Sequence, residues 1–231
     1  MVRHFFETGN LDRRLNHTQL CLIPKTTTPT HMADYRPISL CTVTYKIISN
    51  VLVMRLKRCL GSIISDSQAA FVLGRNISDN VLIAHELLNS LKSKKECQST
   101  YIAIKTYISK AYDRVEWNFL ERVMRQLGFA ERWILWIMEC VRTVSYEVLI
   151  NGSPYGNVRP TRGLCQGDPL SPYLFLFCAE TLSQMMCQAI FCDTFMECKS
   201  QRLAQRYLTY YLRMIHCFSV VLQPQTAREW Q

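Results

Sequence analysis

Two cationic side chains, Lys25 and Arg36, flank a loop rich in threonine and proline, and an Arg162–Gly163 pair lies just ahead of Gln166–Gly167. Cations at close quarters are what phosphate recognition requires. Glycines such as Gly163 and Gly167 let backbone approach a neighbour where a Cβ would intrude, and the Gln166 amide offers both a donor and an acceptor to a base edge. A lone Lys or Arg is structural more often than not, so the chemistry has to be judged from the text around it.

The elements that must position these residues can be read from patterning. Leu20–Pro24 reads as a buried strand stopped by proline, 26–37 as a loop, and 39–60 as an amphipathic helix with Ile47, Ile48, Val51, Leu52, Leu56 and Leu60 inward. After a turn at Gly74–Arg75, a second helix starts near Asp79, with Val81, Leu82, Leu87, Leu88 and Leu91 inward. Ile102–Ile104 is a short strand, and SKAYDRVEW reads as a helix start with Ser109 as cap. That reading places Asp113 inside the following helix, as a surface or helix-start carboxylate pairing with Lys110 or Arg114. Two helices broken near Gly128 follow, with Phe119, Leu120, Val123, Leu127, Trp133, Ile134, Trp136, Ile137 and Val141 as core. Tyr146–Ile150, the Asn151–Gly152 pair and a return through Val158–Arg159 form a hairpin.

The chain has 231 residues, 48% of them hydrophobic, enough for one large domain or two small ones, and a net charge of +9 that suits a polyanionic partner. Arg13/Arg14, Arg55/Lys57/Arg58 and Lys92/Lys94/Lys95 are its local basic clusters. Eleven cysteines occur without a C-x-x-C pair, which favours reduced thiols in an intracellular compartment, nucleus or cytoplasm, over a metal site or disulfide framework. The longest apolar stretch, around Tyr173–Ala179, is too short to span a bilayer, so no membrane association is expected.

Several phrases together resemble the reverse transcriptases of LINE-type (non-LTR) retrotransposons, particularly the plant branch. They are FFETG…LNHTQLCLIPK, DYRPISL, QAAFVLGRNISDN, KTYISKAYDRVEW and RGLCQGDPLSPYLF, and they cover the chain from Phe5 to about Ala189. The resemblance implies an α+β right-hand polymerase fold, with residues 1–100 as a fingers-like region and 101–189 as a partial palm. It implies Mg²⁺ as cofactor, and an RNA template and DNA primer as partners. By the same resemblance Lys25, Arg36, Tyr112, Gln166 and Gly167 would face the incoming nucleotide. Gln68, Arg75, Arg162 and Gly163 would face the template, with Phe71 beside them. Gln68, Phe71 and Arg75 read equally well as structural links.

Two departures stand out. The family's first metal-binding Asp is Tyr107 here, a neutral phenol that cannot serve a hard cation as a carboxylate does, and Cys165 replaces the usual Arg. No Asp-Asp pair appears where the family has its FADD hairpin. Reading the last base of each codon with the first two of the next, Tyr210–Tyr211 forces Leu, Met214–Ile215 forces Asp, His216–Cys217 forces Leu and Met196–Glu197 forces Gly. Residues 190–222 therefore read as a frameshifted segment in place of that hairpin, followed by a tail, 223–231, and they are expected not to pack beside the first-motif strand. By the same resemblance, the thumb, the endonuclease and any zinc knuckle are expected to be absent. The expected function is a reverse transcriptase domain without an intact metal site. A domesticated RNA-binding scaffold is the alternative, and a group II intron maturase is disfavoured by DYRPISLC and RGLCQGDPLSPYLF.

Overall fold

The computed structural model describes residues 1–66, 68–93, 102–106, 108, 110–191 and 218–222. They fall into two compact units, Met1–Arg58 with Lys110–Cys178, and Cys59–Ser109 with Ala179–Gln231. The first unit joins the start of the chain to its middle.

In the first unit, helix α1 (Val2–Thr8) ends on Gly9 at φ 79°, a left-handed cap. Strand β1 (His17–Pro24) is longer than the expected Leu20–Pro24. It pairs antiparallel with β2 (Tyr35–Leu40) and parallel with β4 (Ser145–Ile150), which in turn pairs with β5 (Ser153–Val158). The sheet order is β2-β1-β4-β5. The β4–β5 hairpin turns on Asn151 at φ 52° and Gly152 at φ 82°, two left-handed residues in succession, as its sequence predicts.

Helix α2 (Val43–Leu56) is shorter than the expected 39–60, because 39 and 40 complete β2 and Thr42 Oγ1 caps the helix by accepting from Tyr45 N at 3.2 Å. Ile48, Leu52 and Leu56 are fully buried, whereas Ile47 is 48% exposed on the opposite side. Helices α5 (Trp117–Gln126) and α6 (Glu131–Arg142) are separated at Gly128, φ 79°, as expected. Leu120, Val123, Ile134, Ile137 and Val141 are buried, along with Met124 and Met138, while Phe119 is exposed. The first half of α7 (Ser171–Phe191) brings Leu174 and Phe177 into this core.

The second unit holds α3 (Leu60–Ile63), α4 (Ile77–Ser93), β3 (Ile102–Thr106), the remainder of α7 and β6 (Phe218–Leu222). Val81, Leu82 and Leu88 of α4, expected inward, are exposed. Neighbouring positions such as 81 and 82 diverge by about 100° around a helix, so they cannot share one narrow stripe. β6 corrects another expectation. Phe218–Leu222 pairs antiparallel with β3, from Ile102↔Leu222 to Thr106↔Phe218. FSVVL is an aromatic and β-branched run, and a strand edge accepts such a run through backbone hydrogen bonds whatever reading frame produced it. Residues 192–217 and 223–231 lie outside the described residues.

Candidate functional site

The turn from Arg162 to Asp168 is held on two sides by backbone. Gly163 N donates to Val115 O at 2.8 Å, Leu164 N to Tyr112 O at 3.0 Å, and Trp117 Nε1 to Gly163 O at 2.8 Å. On the other side Ser39 N donates to Gln166 O at 2.7 Å, so β2 carries the far end of the turn. Both glycines sit at left-handed φ, 90° for Gly163 and 109° for Gly167. A Cβ on Gly163 would lie 3.2 Å from Asp113 O, and one on Gly167 would lie 3.0 Å from Ser39 O. One close approach that these glycines permit is to the protein's own backbone.

This arrangement decides where the expected site residues stand. Gln166 and Gly167 are exposed at the tip of the turn. Tyr112 is half-buried and stacks on Phe175, with ring centroids 5.2 Å apart and planes 14° from parallel, and burial raises its phenol. Arg162 is exposed and lies 3.4 Å from Glu116. Arg36 is exposed on β2, opposite Ile23 of β1. Lys25 follows β1 directly, and its Nζ donates to Ala33 O at 2.7 Å, which leaves two of its three ammonium protons for other partners. Asp34 closes the same loop by accepting from Thr30 N and His31 N, and those bonds hold its carboxyl below the usual range. Lys25 and Arg36 thus share one hairpin, and β2 of that hairpin carries the turn that presents Gln166.

Gln68 and Arg75, which read equally as a template surface and as structural links, are directed into the second unit's own backbone. Gln68 is 2% exposed and its Oε1 accepts from Ala70 N. The Arg75 guanidinium donates to the carbonyls of Ile64, Ser65 and Gln68 and to Asp66 Oδ1. A fork that saturated with internal acceptors is a staple for the 64–75 loop. Phe71 is at φ 60° and half-exposed in that loop.

The first motif differs from its expected form. Lys110 sits at φ 52°, Tyr112–Arg114 form a short 3-10 helix, and α5 begins only at Trp117, so Asp113 is exposed in that 3-10 turn and lies outside the α-helix. Tyr107 and Ser109 lie outside the described residues. No group of three or more His, Cys, Asp or Glu side chains is placed to hold a metal ion among the described residues. Members of the family use Mg²⁺.

Sequence reasoning passed over the base of the turn. Asp168 is 5% exposed; its Oδ2 accepts from Tyr45 Oη at 3.2 Å and from Ser171 Oγ at 3.1 Å, and burial pushes its carboxyl upward. Cys165 turns inward, its Sγ 2.9 Å from Tyr146 Oη, and burial pushes its thiol up to about 12. The only available signal was the position of Asp168 within QGDPLSP. The opposite face of the sheet carries another polar set that the sequence did not reveal: His17 Nε2 lies 3.0 Å from Glu147 Oε2, and Gln19 Nε2 donates to Glu147 Oε1 at 2.8 Å. These pairs require the parallel β1–β4 alignment between segments far apart in the chain.

Comparison with known proteins fits this geometry. The profile of the family described as reverse transcriptase (RNA-dependent DNA polymerase) matches residues 23–211. Over 175 residues the chain is 28% identical to the transposon TX1 uncharacterized 149 kDa protein of Xenopus laevis, covering 76% of this chain and 13% of that protein. Over 172 residues it is 30% identical to the retrovirus-related Pol polyprotein from type-2 retrotransposable element R2DM of Drosophila melanogaster, covering 72% and 15%. A shorter match, 69% identical over 35 residues, covers 15% of this chain and 29% of the uncharacterized mitochondrial protein AtMg01250 of Arabidopsis thaliana. The chain thus spans less than a sixth of those two long polyproteins. With the second-motif turn, the Lys25–Arg36 hairpin and a profile running through both, the chain belongs to the reverse transcriptase (RNA-dependent DNA polymerase) family, as a reverse transcriptase domain of the non-LTR retrotransposon type.

Proposed function

We propose that this chain is the fingers and partial palm of a plant LINE-type reverse transcriptase, which keeps a surface for nucleic acid and nucleotide but has lost phosphoryl transfer. Tyr107, within the otherwise family-like KTYISKAYDRVEW, is the observation that carries the reading. In-line displacement by this family's chemistry needs two metal ions to clamp the attacking and leaving oxygens. A neutral phenol at the first ligand position removes an anionic ligand of that clamp. The high identity over a short segment to an Arabidopsis protein supports the plant origin. The forced codon pairs at Tyr210–Tyr211, Met214–Ile215 and His216–Cys217 support a frameshift in place of the FADD hairpin.

What remains is binding. Lys25, Arg36 and Arg162 supply exposed cations for phosphate, and Gln166 supplies an amide for a base edge. RNA binding that weakens steeply with salt is the behaviour expected of such contacts.

Primer extension on an RNA template with Mg²⁺ tests the reading. The 231-residue protein is expected to extend nothing, and Tyr107→Asp alone is expected not to rescue it, because the second carboxylate pair is still missing. Each decade of rate corresponds to about 1.4 kcal/mol, so loss of a metal clamp removes several decades. Extension by the unmodified protein, absent after heat inactivation, overturns the inactive reading. The coding DNA decides the frameshift: if the bases straddling Arg213, Met214 and Ile215 do not spell two aspartates, that part fails.

A further inference from the structure

The least economical group in the first unit is Asp168. A carboxyl that is 5% exposed carries a desolvation penalty, and among the described residues its Oδ1 has no hydrogen-bond partner. Its other oxygen, however, joins two elements at once: Tyr45 Oη from α2 at 3.2 Å and Ser171 Oγ from the start of α7 at 3.1 Å. Asp168 is also the residue directly after Gly167, whose backbone passes so close to β2 that a Cβ would meet Ser39 O at 3.0 Å. The peptide before it is fixed by Ser39 N donating to Gln166 O at 2.7 Å. Ahead of that, the turn is fixed by Gly163 and Leu164 donating to Val115 and Tyr112.

The turn therefore has three attachments: the 112–115 segment, β2, and the buried carboxyl beneath its last residue. The first two are backbone bonds available to any residue type at those positions. The third depends on a side chain, and only a short acceptor can reach both hydroxyls from position 168. Gln166, two residues away, is the exposed side chain that this scaffold presents.

We infer that Asp168 is a positioning residue whose carboxyl, held between Tyr45 and Ser171, keeps the Gln166–Gly167 peptide seated on β2 and so sets where the Gln166 amide stands toward a bound template–primer. The inference rests on the binding surface proposed above. Asp168 touches neither nucleic acid nor nucleotide and acts through Gln166.

The experiment uses the full 231-residue chain, with a fluorescein-labelled RNA template annealed to a DNA primer as probe and anisotropy as readout. Amide hydrogen exchange at Ser39 is followed in parallel. Gln166→Ala is expected to weaken binding by about tenfold, the scale of one good hydrogen bond. Asp168→Ala is expected to weaken it by a similar factor and to speed Ser39 exchange, and the Asp168→Ala/Gln166→Ala double variant should bind no worse than Gln166→Ala. Asp168→Asn, which keeps a short acceptor for both hydroxyls, should retain binding and Ser39 protection. Additive losses in the double variant, or unchanged Ser39 exchange in Asp168→Ala, overturn the inference, since a residue that merely stabilises the fold gives additivity. Should Asp168→Ala not fold, Tyr45→Phe takes its place: faster Ser39 exchange upholds the inference, and unchanged exchange overturns it. Failure of the unmodified chain to bind the probe overturns the binding surface instead, and Ser39 exchange alone then decides whether Asp168 seats the turn.

Discussion

On the reading proposed above, each of the two polymerase motifs of this chain carries a replacement, with different consequences. In the second motif Cys165 stands where an arginine is usual, yet the turn around it is built from backbone hydrogen bonds and two left-handed glycines. The thiol itself has found a partner in Tyr146 Oη. In the first motif, on the reading proposed above, Tyr107 stands where the family has a metal-binding Asp, and no backbone geometry can substitute for an anionic oxygen. A motif whose work is done by backbone shape tolerates side-chain loss. A motif whose work is done by one functional group does not.

The sharpest way to break that contrast is to attack the shape. Gly167→Ala and Gly163→Ala each force an L side chain into left-handed backbone against a carbonyl 3.0 or 3.2 Å away. Each is expected to destabilise the fold by about 2–3 kcal/mol, measured by urea unfolding. Gly156→Ala is the control: it shares a positive φ, 72°, but nothing lies within 4 Å of its Cβ, so only the strain of about 1 kcal/mol should appear. Equal losses at all three positions would mean that the contacts with Asp113 and Ser39 are unimportant.

A smaller effect comes from Asp168. Burial raises its folded-state carboxyl above the unfolded value. By linkage its stabilising contribution is full below the unfolded carboxylate range and is lost as pH rises through the folded one. Melting temperatures of Asp168→Asn and the unmodified chain, compared from acid to neutral pH, should therefore shift in favour of the variant as pH increases. A constant difference would mean that the carboxyl does not titrate in the fold.

The smallest expected effect is chemical. With its thiol pushed to about 12, Cys165 should resist alkylation by iodoacetamide near neutral pH and become reactive on unfolding, as mapped by mass spectrometry. Rapid labelling in the folded chain would show that Cys165 does not occupy its place beside Tyr146.

Much of this protein was legible wherever the signal is local. Asn151–Gly152 announces a hairpin and Gly128 a helix break because left-handed φ is a property of one or two residues. The motif phrases identify the family for a related reason: each is a short run of side chains whose spacing survives without knowledge of the rest of the chain. Exposure was harder to read. Ile47 and Phe119 match the apolar pattern of their helices but lie on faces left uncovered by other described residues.

Tertiary structure alone decided the contacts between distant segments. That Gly163 yields space to Asp113 and Gly167 to Ser39 depends on strand β2 and the 112–115 segment converging on one turn. That Arg75 is a loop staple, that Asp168 lies beneath Gln166, and that FSVVL joins β3 follow equally from where the chain returns in space. Periodicity reports which side of an element is apolar. It carries no information about which element will arrive to cover that side, because that choice is made by burial and backbone pairing across the whole fold.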